Sequence, residues 1–198
     1  MNICIRPAQA NECEAIAICI AEGFERDFSV FSKDTGQVIN ALVPGIRTRR
    51  FYVAEQSGEV VAVAGISDCT GRAVYINWKA YRKNFGLLKG TLAKMVLKPE
   101  FEGCLRYPPT TGFIEFVAVR RAYRRRGIAS LLLRESMEQS AYEDFVLDVI
   151  NENTPARCCY EKIGFQPFKS EKKRNGYTKT FMRCNRQIVI DLQSPIAF

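Results

Sequence analysis

The segment from residue 113 to residue 150 constrains the fold more than any other part of the sequence. It begins with a predicted strand, FIEFVAV (113–119), which continues through a basic loop into a predicted helix at about 127–139. A second predicted strand, DFVLDVI (144–150), is almost entirely apolar. A strand without polar alternation is typical of a sheet that is covered on both faces, so we expect it to lie inside an α/β fold.

The rest of the chain supplies the other elements of a mixed α/β fold. Alternation in ICIR (3–6) predicts a short first strand, and apolar residues at helical spacing predict a helix over 11–24. The remaining predicted elements are a helix near 35–46, a β-hairpin at 51–67, a helix at about 155–163 with Thr154 as its N-cap, and two closing strands. The predicted fold class is therefore α/β, with a mixed central sheet flanked by helices. The tail, 187–198, has no pattern that assigns it to an element.

A helical insert of about 70–111 precedes the strand at 113–119. Within it, residues 77–98 carry an apolar stripe at steps of three and four, and Gly86 and Gly90 predict a bend. The stripe consists of Trp78, Tyr81, Phe85, Leu88, Leu92 and Met95. We expect it to pack on the domain and to leave a solvated basic face, with a wall of an open cleft or a subunit contact as alternatives. A membrane-surface role is not expected, because the chain carries no lipidation or anchoring signal.

Composition excludes several classes of site. The chain has 198 residues, 47% of them hydrophobic, and no repeat or linker divides it, so we expect one domain spanning 1–198. It has no histidine, and its eight cysteines include no C-x-x-C pair. This excludes His-based zinc sites, Ser-His-Asp triads and Cys-His dyads, and no metal is expected. With neither a membrane-length apolar run nor a signal-peptide region, a cytoplasmic protein with free thiols is expected.

The loop that follows the strand at 113–119 has the features of an anion site. Five arginines lie within 120–126, and Gly127 and Ala129 follow at the predicted helix start. A helix start offers unpaired N–H groups and the positive end of the helix dipole, and small residues let a phosphate approach the backbone. The pattern indicates a pyrophosphate cradle, although it is neither a Walker loop nor G-x-G-x-x-G. The alternatives are a solvated helix start with surface arginines and a nucleic-acid patch, which the net charge of +8 also permits.

Two motifs around this loop resemble the GCN5-related N-acetyltransferase (GNAT) superfamily. Its signature, [RQ]-x-x-G-x-[GA] after an L-A-V-type strand, is matched by Val117-Ala118-Val119 and then Arg124-Arg125-Arg126-Gly127-Ile128-Ala129. A second family motif, N-x-x-A-x-x-x-Y-x-x-x-G-F, is matched by Asn153, Ala156, Tyr160, Gly164 and Phe165. Both motifs occur in the family's order and spacing. The match is close over 112–168, whereas the insert and the tail depart from the family pattern.

The resemblance implies that the chain uses acetyl-CoA as an acyl donor. The backbone of Val117, Ala118 and Val119 would pair with the pantetheine arm like an added strand. The pyrophosphate would bind near the amides of about 125–130. The residues implied for this part of the site are Arg124, Arg125, Arg126, Gly127, Ile128, Ala129 and Ser130, with Asn153 reaching the pantetheine or phosphate region. Tyr160 would act as general acid to the leaving thiolate, although the residues alone also allow it to be a core aromatic.

Two carboxylates are candidates for the general base that a protonated amine requires. Glu115 lies in the strand beside the expected donor. Asp148 lies in the apolar strand at 144–150, where burying a charge is costly unless the charge has a structural or functional role. Some family members place an acid at the position of Asp148, and others place one in the strand that holds Glu115. The alternatives are a cross-strand ion pair for Glu115, a hydrogen bond to a loop for Asp148, and no base at all for an α-amine acceptor.

The predicted function is transfer of an acetyl group from acetyl-CoA to a primary amine by direct attack in a ternary complex. Cys158 and Cys159 adjoin Tyr160 but lack the usual base partner, so no covalent enzyme intermediate is expected. The alternatives are transfer of a longer acyl group and, from another class, a non-catalytic basic module that binds nucleic acid or another polyanion. The expected partner is an amine-bearing small molecule or a protein amine, and neither a membrane nor nucleic acid is expected. The sequence does not determine the oligomeric state, and a homodimer is one of the alternatives.

Overall fold

A computed structural model describes residues 2–173 and 176–191, and it has the mixed α/β architecture expected from the sequence. The strands are β1 (Ile3–Pro7), β2 (Phe51–Gln56), β3 (Glu59–Ser67), β4 (Thr111–Val119), β5 (Asp144–Ile150), β6 (Gln166–Lys172) and β7 (Thr178–Asn185). The helices are α1 (Cys13–Gly23), α2 (Glu25–Phe28), α3 (Thr35–Leu42), α4 (Trp78–Glu102), α5 (Ile128–Gln139), α6 (Thr154–Lys162) and α7 (Arg186–Asp191). The unassigned tail begins within α7, and its residues 192–198 lie outside the described part.

The seven strands form one sheet in the order β1-β2-β3-β4-β5-β7-β6. Neighbouring strands are antiparallel except for β4 and β5, which are parallel. Two apolar clusters lie against this sheet. One contains side chains of α1, α3 and α4, among them Ile16 and Phe85. The other contains side chains of α5 and α6, among them Leu132 and Tyr160. Helices therefore flank the sheet on both sides, which explains why β5 is almost wholly apolar.

Strands β4 and β5 separate part-way along their length. Their parallel pairing begins with Thr111 opposite Asp144 and ends with Ile114 opposite Leu147. Beyond these pairs, the second half of β4 faces a notch instead of a neighbouring strand. The notch lies at the carboxyl ends of two adjacent parallel strands, where α/β sheets commonly bind ligands.

An aromatic cluster stabilises the point where β4 leaves β5. Phe116 has a φ of 54°, which is unfavourable for a bulky residue, and the β3–β4 register shifts beside it. The rings of Phe24, Phe51 and Phe101 surround it at centroid distances of 6.0, 6.5 and 5.0 Å. This packing holds a bulge that turns the end of β4 away from β5.

Helix α4 forms the insert, and its apolar stripe is only partly packed as expected. Tyr81 and Phe85 are buried and Trp78 is half-buried, as predicted. Leu88, Leu92 and Met95 are instead 88%, 45% and 71% exposed. The expectation of a continuous packed stripe is therefore wrong for the second half of the helix.

The bend at Gly86 explains this difference. Gly86 has φ 78° and ψ 175°, so the helical phase is interrupted there, and the second half presents a new face to the core. Gly90, Ala93 and Phe101 are buried in place of the predicted residues. A Cβ at Gly90 would lie only 3.0 Å from the carbonyl oxygen of Tyr81, so the two halves of α4 approach closely at this glycine. Within residues 2–173 and 176–191, no helix has both the length and the apolar character needed to cross a bilayer.

Helix α6 begins where expected but with a different cap. The side chain of Asn153 accepts a hydrogen bond from the backbone N–H of Ala156 at 3.3 Å, so Asn153 is the N-cap. The prediction that Thr154 is the cap is wrong, because Asn153 has non-helical backbone angles and Thr154 is already the first helical residue.

Candidate active site

The loop between β4 and α5 presents backbone N–H groups at the start of a helix. Arg125 and Gly127 have positive φ values of 62° and 76°. The hydrogen bond from Leu131 N to Gly127 O (3.1 Å) closes the first turn of α5, so the amides of Ile128 and Ser130 precede it at the positive end of the helix dipole. A Cβ at Gly127 would meet nothing within 4 Å, so the space beside this turn is open. This conformation is that of an anion site.

Four of the five arginines in this loop are engaged by carboxylates or backbone carbonyls of the protein. Arg120 pairs with Glu22 and Glu59, Arg121 pairs with Glu25, Arg124 donates to the carbonyls of Val119 (3.0 Å) and Glu22 (2.8 Å), and Arg126 donates to the carbonyl of Ala122 (2.9 Å). These contacts fix the shape of the loop. Arg125 is exposed, and its side chain has no partner within the described residues. Among the five, Arg125 is therefore the arginine whose charge is most available to a bound anion.

The predicted donor-binding strand borders the notch. Ala118 is buried against α1, where a Cβ on Gly23 would approach its own Cβ to 2.6 Å, while Val117 and Val119 are half-buried. The N–H of the next residue, Arg120, donates to the carbonyl of Val61 on β3 (2.9 Å). One edge of β4 is thus paired with β3 along this stretch, and the opposite edge faces the notch.

Tyr160 lies on α6, among the apolar side chains that cover one face of the sheet. It is 9% exposed, and its ring packs edge-on against Phe165 at 6.1 Å. Burial, together with the nearby Cys159 and Asp148, raises the pKa of Tyr160 well above its usual range. Among the described residues, its hydroxyl has no hydrogen-bond partner. A tyrosine in this environment stays protonated at neutral pH and has a proton to donate.

Helices α5 and α6 meet next to this tyrosine. The hydroxyl of Ser130, in the first turn of α5, lies 3.2 Å from the sulfur of Cys159 on α6. Asn153 is exposed at the start of α6, where its side-chain oxygen is used as the cap. The predicted site residue Ser130 thus contacts the residue that precedes Tyr160 on α6, and Asn153 lies at the start of the same helix.

Asp148 is the first residue of β5 beyond its pairing with β4. Its Oδ2 lies 3.0 Å from the ammonium of Lys179 on β7. Its other oxygen, Oδ1, has no partner within the described residues. The same ammonium lies 2.6 Å from a carboxylate oxygen of Glu100, near the end of α4. Asp148 thus borders the notch with one oxygen held and one available.

The ammonium of Lys179 stays charged in this arrangement. Burial alone would lower the pKa of Lys179, but the negative charges of Asp148 and Glu100 raise it to about 12. The side chain is 12% exposed, so its charge is partly shielded from water. Lys179 is therefore neither a base nor a nucleophile at neutral pH, and it acts as a fixed cation beside Asp148.

Glu115 has a different environment, although it lies on β4 as expected. Its carboxylate pairs with Arg72, hydrogen bonds to the hydroxyl of Ser67, and accepts from the backbone N–H of Ala73 at 2.9 Å. Its side chain is 7% exposed. Both oxygens are occupied by these contacts, so the geometry favours the ion-pair alternative for Glu115 over a role as base.

Sequence reasoning missed Lys179, Glu100 and Phe101. A sequence signal for Lys179 exists, because alternation in TKTF places Lys179 and Phe181 on one face of a strand. In the structure, Phe181 is directly opposite Asp148, so Lys179 lies on the same face as that carboxylate. No local pattern marks Glu100, which reaches the notch because α4 folds back toward β4 and β7. Among the described residues, no group of three or more cysteines and carboxylates is arranged to hold a metal ion.

Comparisons with known proteins identify the family. A family model described as "Acetyltransferase (GNAT) family" matches residues 20–165. The chain belongs to the GNAT acetyltransferase family. The matched region contains the loop between β4 and α5, Asp148 and Tyr160. No curated protein matches the sequence significantly.

Solved GNAT structures share the fold at low sequence identity. An N-acetyltransferase from Staphylococcus aureus Mu50 is 18% identical, with a TM-score of 0.61 and coverage of 91% of this chain and 100% of the other. A GNAT acetyltransferase from Bacillus cereus ATCC 10987 is 14% identical, with a TM-score of 0.58 and coverage of 94% and 99%. The ribosomal-protein-S18-alanine N-acetyltransferase from Escherichia coli is 14% identical, with a TM-score of 0.56 and coverage of 93% and 94%. These likenesses support the fold of this GNAT protein.

Proposed function

We propose that this GNAT protein transfers an acetyl group from acetyl-CoA to a primary amine by direct attack in a ternary complex. The observation that carries the proposal is the unpaired edge of β4, which leads directly into the open amide turn at the start of α5. A strand edge and a helix start in succession suit a ligand with an extended amide-bearing arm and a diphosphate. Acetyl-CoA has both parts. The proposal treats 1–198 as one cytoplasmic domain, in keeping with eight free thiols.

The donor would bind along β4 and the loop after it. Its pantetheine amides would hydrogen bond to the edge of Val117–Val119 as an added strand. Its pyrophosphate would accept hydrogen bonds from the amides of Gly127 to Ser130, with Arg125 adding charge. Asn153 would face the pantetheine or phosphate region from the start of α6. This arrangement points the thioester into the notch between β4 and β5.

The acceptor amine must lose a proton before it attacks. A lysine-like amine has a pKa of ~10.4, so deprotonation at about pH 7.4 costs about 4 kcal/mol. Asp148 is our candidate for the base, acting directly or through water, because its Oδ1 is available while Lys179 holds Oδ2. Lys179 holds Oδ2 in place by its ion pair, so the carboxylate is fixed with Oδ1 toward the notch.

The transfer then makes one bond and breaks another. The neutral amine attacks the thioester carbonyl carbon, the new C–N bond forms, and the C–S bond breaks. Asp148 passes the first amine proton to solvent before the attack and takes the second as the C–N bond forms. Tyr160 donates its hydroxyl proton to the departing sulfur and is reprotonated from solvent. The raised pKa of Tyr160 suits this role, because the residue enters the reaction in its protonated form.

The proposal is tested by calorimetric titration with CoA. Wild-type protein should bind CoA, and Gly127→Glu should abolish binding because it places bulk and negative charge where the pyrophosphate is proposed to bind. Gly58→Glu is the matched control, since Gly58 also has a positive φ, 79°, with nothing within 4 Å of an added Cβ. The control should lose similar stability but keep CoA binding.

The same titration distinguishes the alternatives. Normal CoA binding by folded Gly127→Glu would contradict the assignment of the pyrophosphate site. Salt-sensitive DNA binding without any response to CoA would support the polyanion-binding module instead. Comparing acetyl-CoA with longer acyl-CoA donors in a CoA-release assay would separate acetyl transfer from transfer of a longer acyl group.

A further inference from the structure

The second half of α4 exposes a group of apolar side chains, which we call the α4 patch. It consists of Leu87, Leu88, Leu92, Met95 and Val96, which are 59%, 88%, 45%, 71% and 51% exposed. The bend at Gly86 turns these side chains outward, while the opposite side of the same segment packs on the protein. The patch is outside the proposed donor site. Clustered exposed aliphatic side chains of this kind mark an interaction surface.

Basic residues flank the α4 patch on both sides. At about 100° per residue, the five patch residues span about 180° of the helix surface. Lys89 lies about 20° beyond Val96 at one edge, and Lys94 lies about 20° beyond Leu87 at the other. Lys98 lies between Leu87 and Met95, near that second edge. Between residues 78 and 99, α4 has six basic residues and no acidic one. They are Lys79, Arg82, Lys83, Lys89, Lys94 and Lys98.

Most of these cations are not neutralised by the protein. Within the described residues, the closest carboxylate contact among them is the long pair between Lys98 and Glu102, at 3.9 Å. Lys94 instead lies over the ring of Trp78, at 4.9 Å from its centroid. The patch therefore combines an aliphatic centre with unpaired positive charge around it.

We propose that the α4 patch binds the surface of a membrane that contains anionic lipid. Aliphatic side chains would enter the boundary between headgroups and acyl chains, while the flexible lysines extend outward to the phosphates. This differs from the sequence-based expectation of no membrane contact, which rested on the lack of a lipidation or anchoring signal. The charge and the composition of the α4 patch favour anionic lipid over a second copy of the chain or another protein.

Charge and composition disfavour the other occupants. A symmetric contact with a second copy would bring the same lysines against one another. Protein interfaces are enriched in aromatic residues and arginine and depleted in lysine, whereas five of the six cations here are lysine and the patch has no aromatic residue. An anionic lipid surface complements both features.

The position of the patch relates it to the notch. Helix α4 continues from Met95 to Glu100, about 8 Å along the helix axis, and Glu100 contacts Lys179 beside Asp148. If the proposed function is correct, lipid binding would hold the acceptor side of the notch near the membrane surface. The binding itself does not depend on catalysis, so its test uses no acyl donor.

The experiment is co-sedimentation of the full chain with vesicles. One set is phosphatidylcholine alone, and the other is an equal mixture of phosphatidylcholine and phosphatidylglycerol. Wild-type protein should bind the mixed vesicles, less so at high salt, and Leu88→Ser with Met95→Ser should weaken binding about tenfold or more. Val30→Ser is the control, because Val30 is 64% exposed outside α4. Emission of Trp78, the single tryptophan, should shift to the blue when mixed vesicles are added.

Three results would overturn the proposal. The first is that wild-type protein does not bind the mixed vesicles. This result would overturn the proposal even if an acidic protein were found to bind the patch. The second is vesicle binding that is unchanged in the Leu88 and Met95 double variant when circular dichroism shows both proteins folded. The third is concentration-dependent dimerisation that this double variant abolishes, with no vesicle binding, which would assign the patch to a second copy.

Discussion

The ammonium of Lys179 lies 3.0 Å from Oδ2 of Asp148, at the position where β5 first loses β4 as its neighbour. Apart from Asp144 at its start, Asp148 is the single acidic residue of the apolar strand β5. The ion pair with Lys179 explains how this residue is tolerated there. Since Lys179 stays protonated, the pair places a fixed cation beside the carboxylate of Asp148 at the edge of the notch. Asp148 is therefore the better placed of the two candidate bases.

Replacing Asp148 with asparagine should lower kcat by about 10²-fold or more, because the side chain keeps its shape but no longer accepts a proton. Steady-state kinetics with an amine acceptor would measure this, and circular dichroism would confirm folding. Glu100→Gln is the control, since it removes the other carboxylate that contacts Lys179 without removing the proposed base. Equal losses in the two variants would assign the effect to the charge cluster rather than to base catalysis.

Tyr160→Phe should reduce turnover by about 10²-fold while the KM for acetyl-CoA stays nearly unchanged. The fold should be preserved, because the hydroxyl has no hydrogen-bond partner among the described residues. Tyr142→Phe is the control, and it should lower stability instead of turnover. Its hydroxyl donates to Asp68 at 2.6 Å, so its loss should cost about 1–3 kcal/mol of stability and leave turnover intact. Normal turnover by Tyr160→Phe, with chemistry rate-limiting, would make Tyr160 a packing residue.

Glu115→Gln should destabilise the protein without removing catalysis. The substitution leaves Arg72, whose side chain is 14% exposed, without its counter-ion, which costs about 3 kcal/mol when such a pair is largely shielded from water. Urea unfolding would measure the loss, and kcat per folded molecule should stay close to the wild-type value. A variant with wild-type stability and severely reduced kcat would instead identify Glu115 as the base.

Asp68 should contribute stability that disappears in acid. Burial alone would raise the pKa of Asp68, but hydrogen bonds from Arg50, Thr70 and Tyr142 outweigh it and hold the pKa well below its usual range. A lowered pKa in the folded state stabilises the protein above the unfolded value of ~3.9 and ceases to do so as pH falls through the folded value.

The free energy of unfolding of Asp68→Asn should therefore lie about 3 kcal/mol below wild type at neutral pH. The difference should shrink as the pH falls below ~3.9. Urea titrations at several pH values would measure it. A difference that stays constant across this range would show that the effect comes from packing rather than ionisation.

Local sequence pattern was sufficient for most of the architecture. The hairpin at 51–67, the strand at 144–150 and the helix after Gly127 appear close to their predicted bounds, because periodicity, turn residues and caps act within a few residues. The prediction for α4 was correct where Tyr81 and Phe85 precede the bend and wrong after it. Periodicity assumes a continuous helix, and a glycine with positive φ interrupts that assumption.

The sequence by itself determined most of the elements, the family motifs and the glycine-containing turn between β4 and α5, since each depends on residues that are near one another in the chain. Only the tertiary structure decided the surroundings of the two carboxylates, Glu115 and Asp148. Glu115 is occupied because Arg72 folds across β4, and Asp148 borders a notch because β4 and β5 separate at a bulge packed by Phe24, Phe51 and Phe101. Burial, ion pairing and strand separation arise between distant segments, so no local pattern contains them.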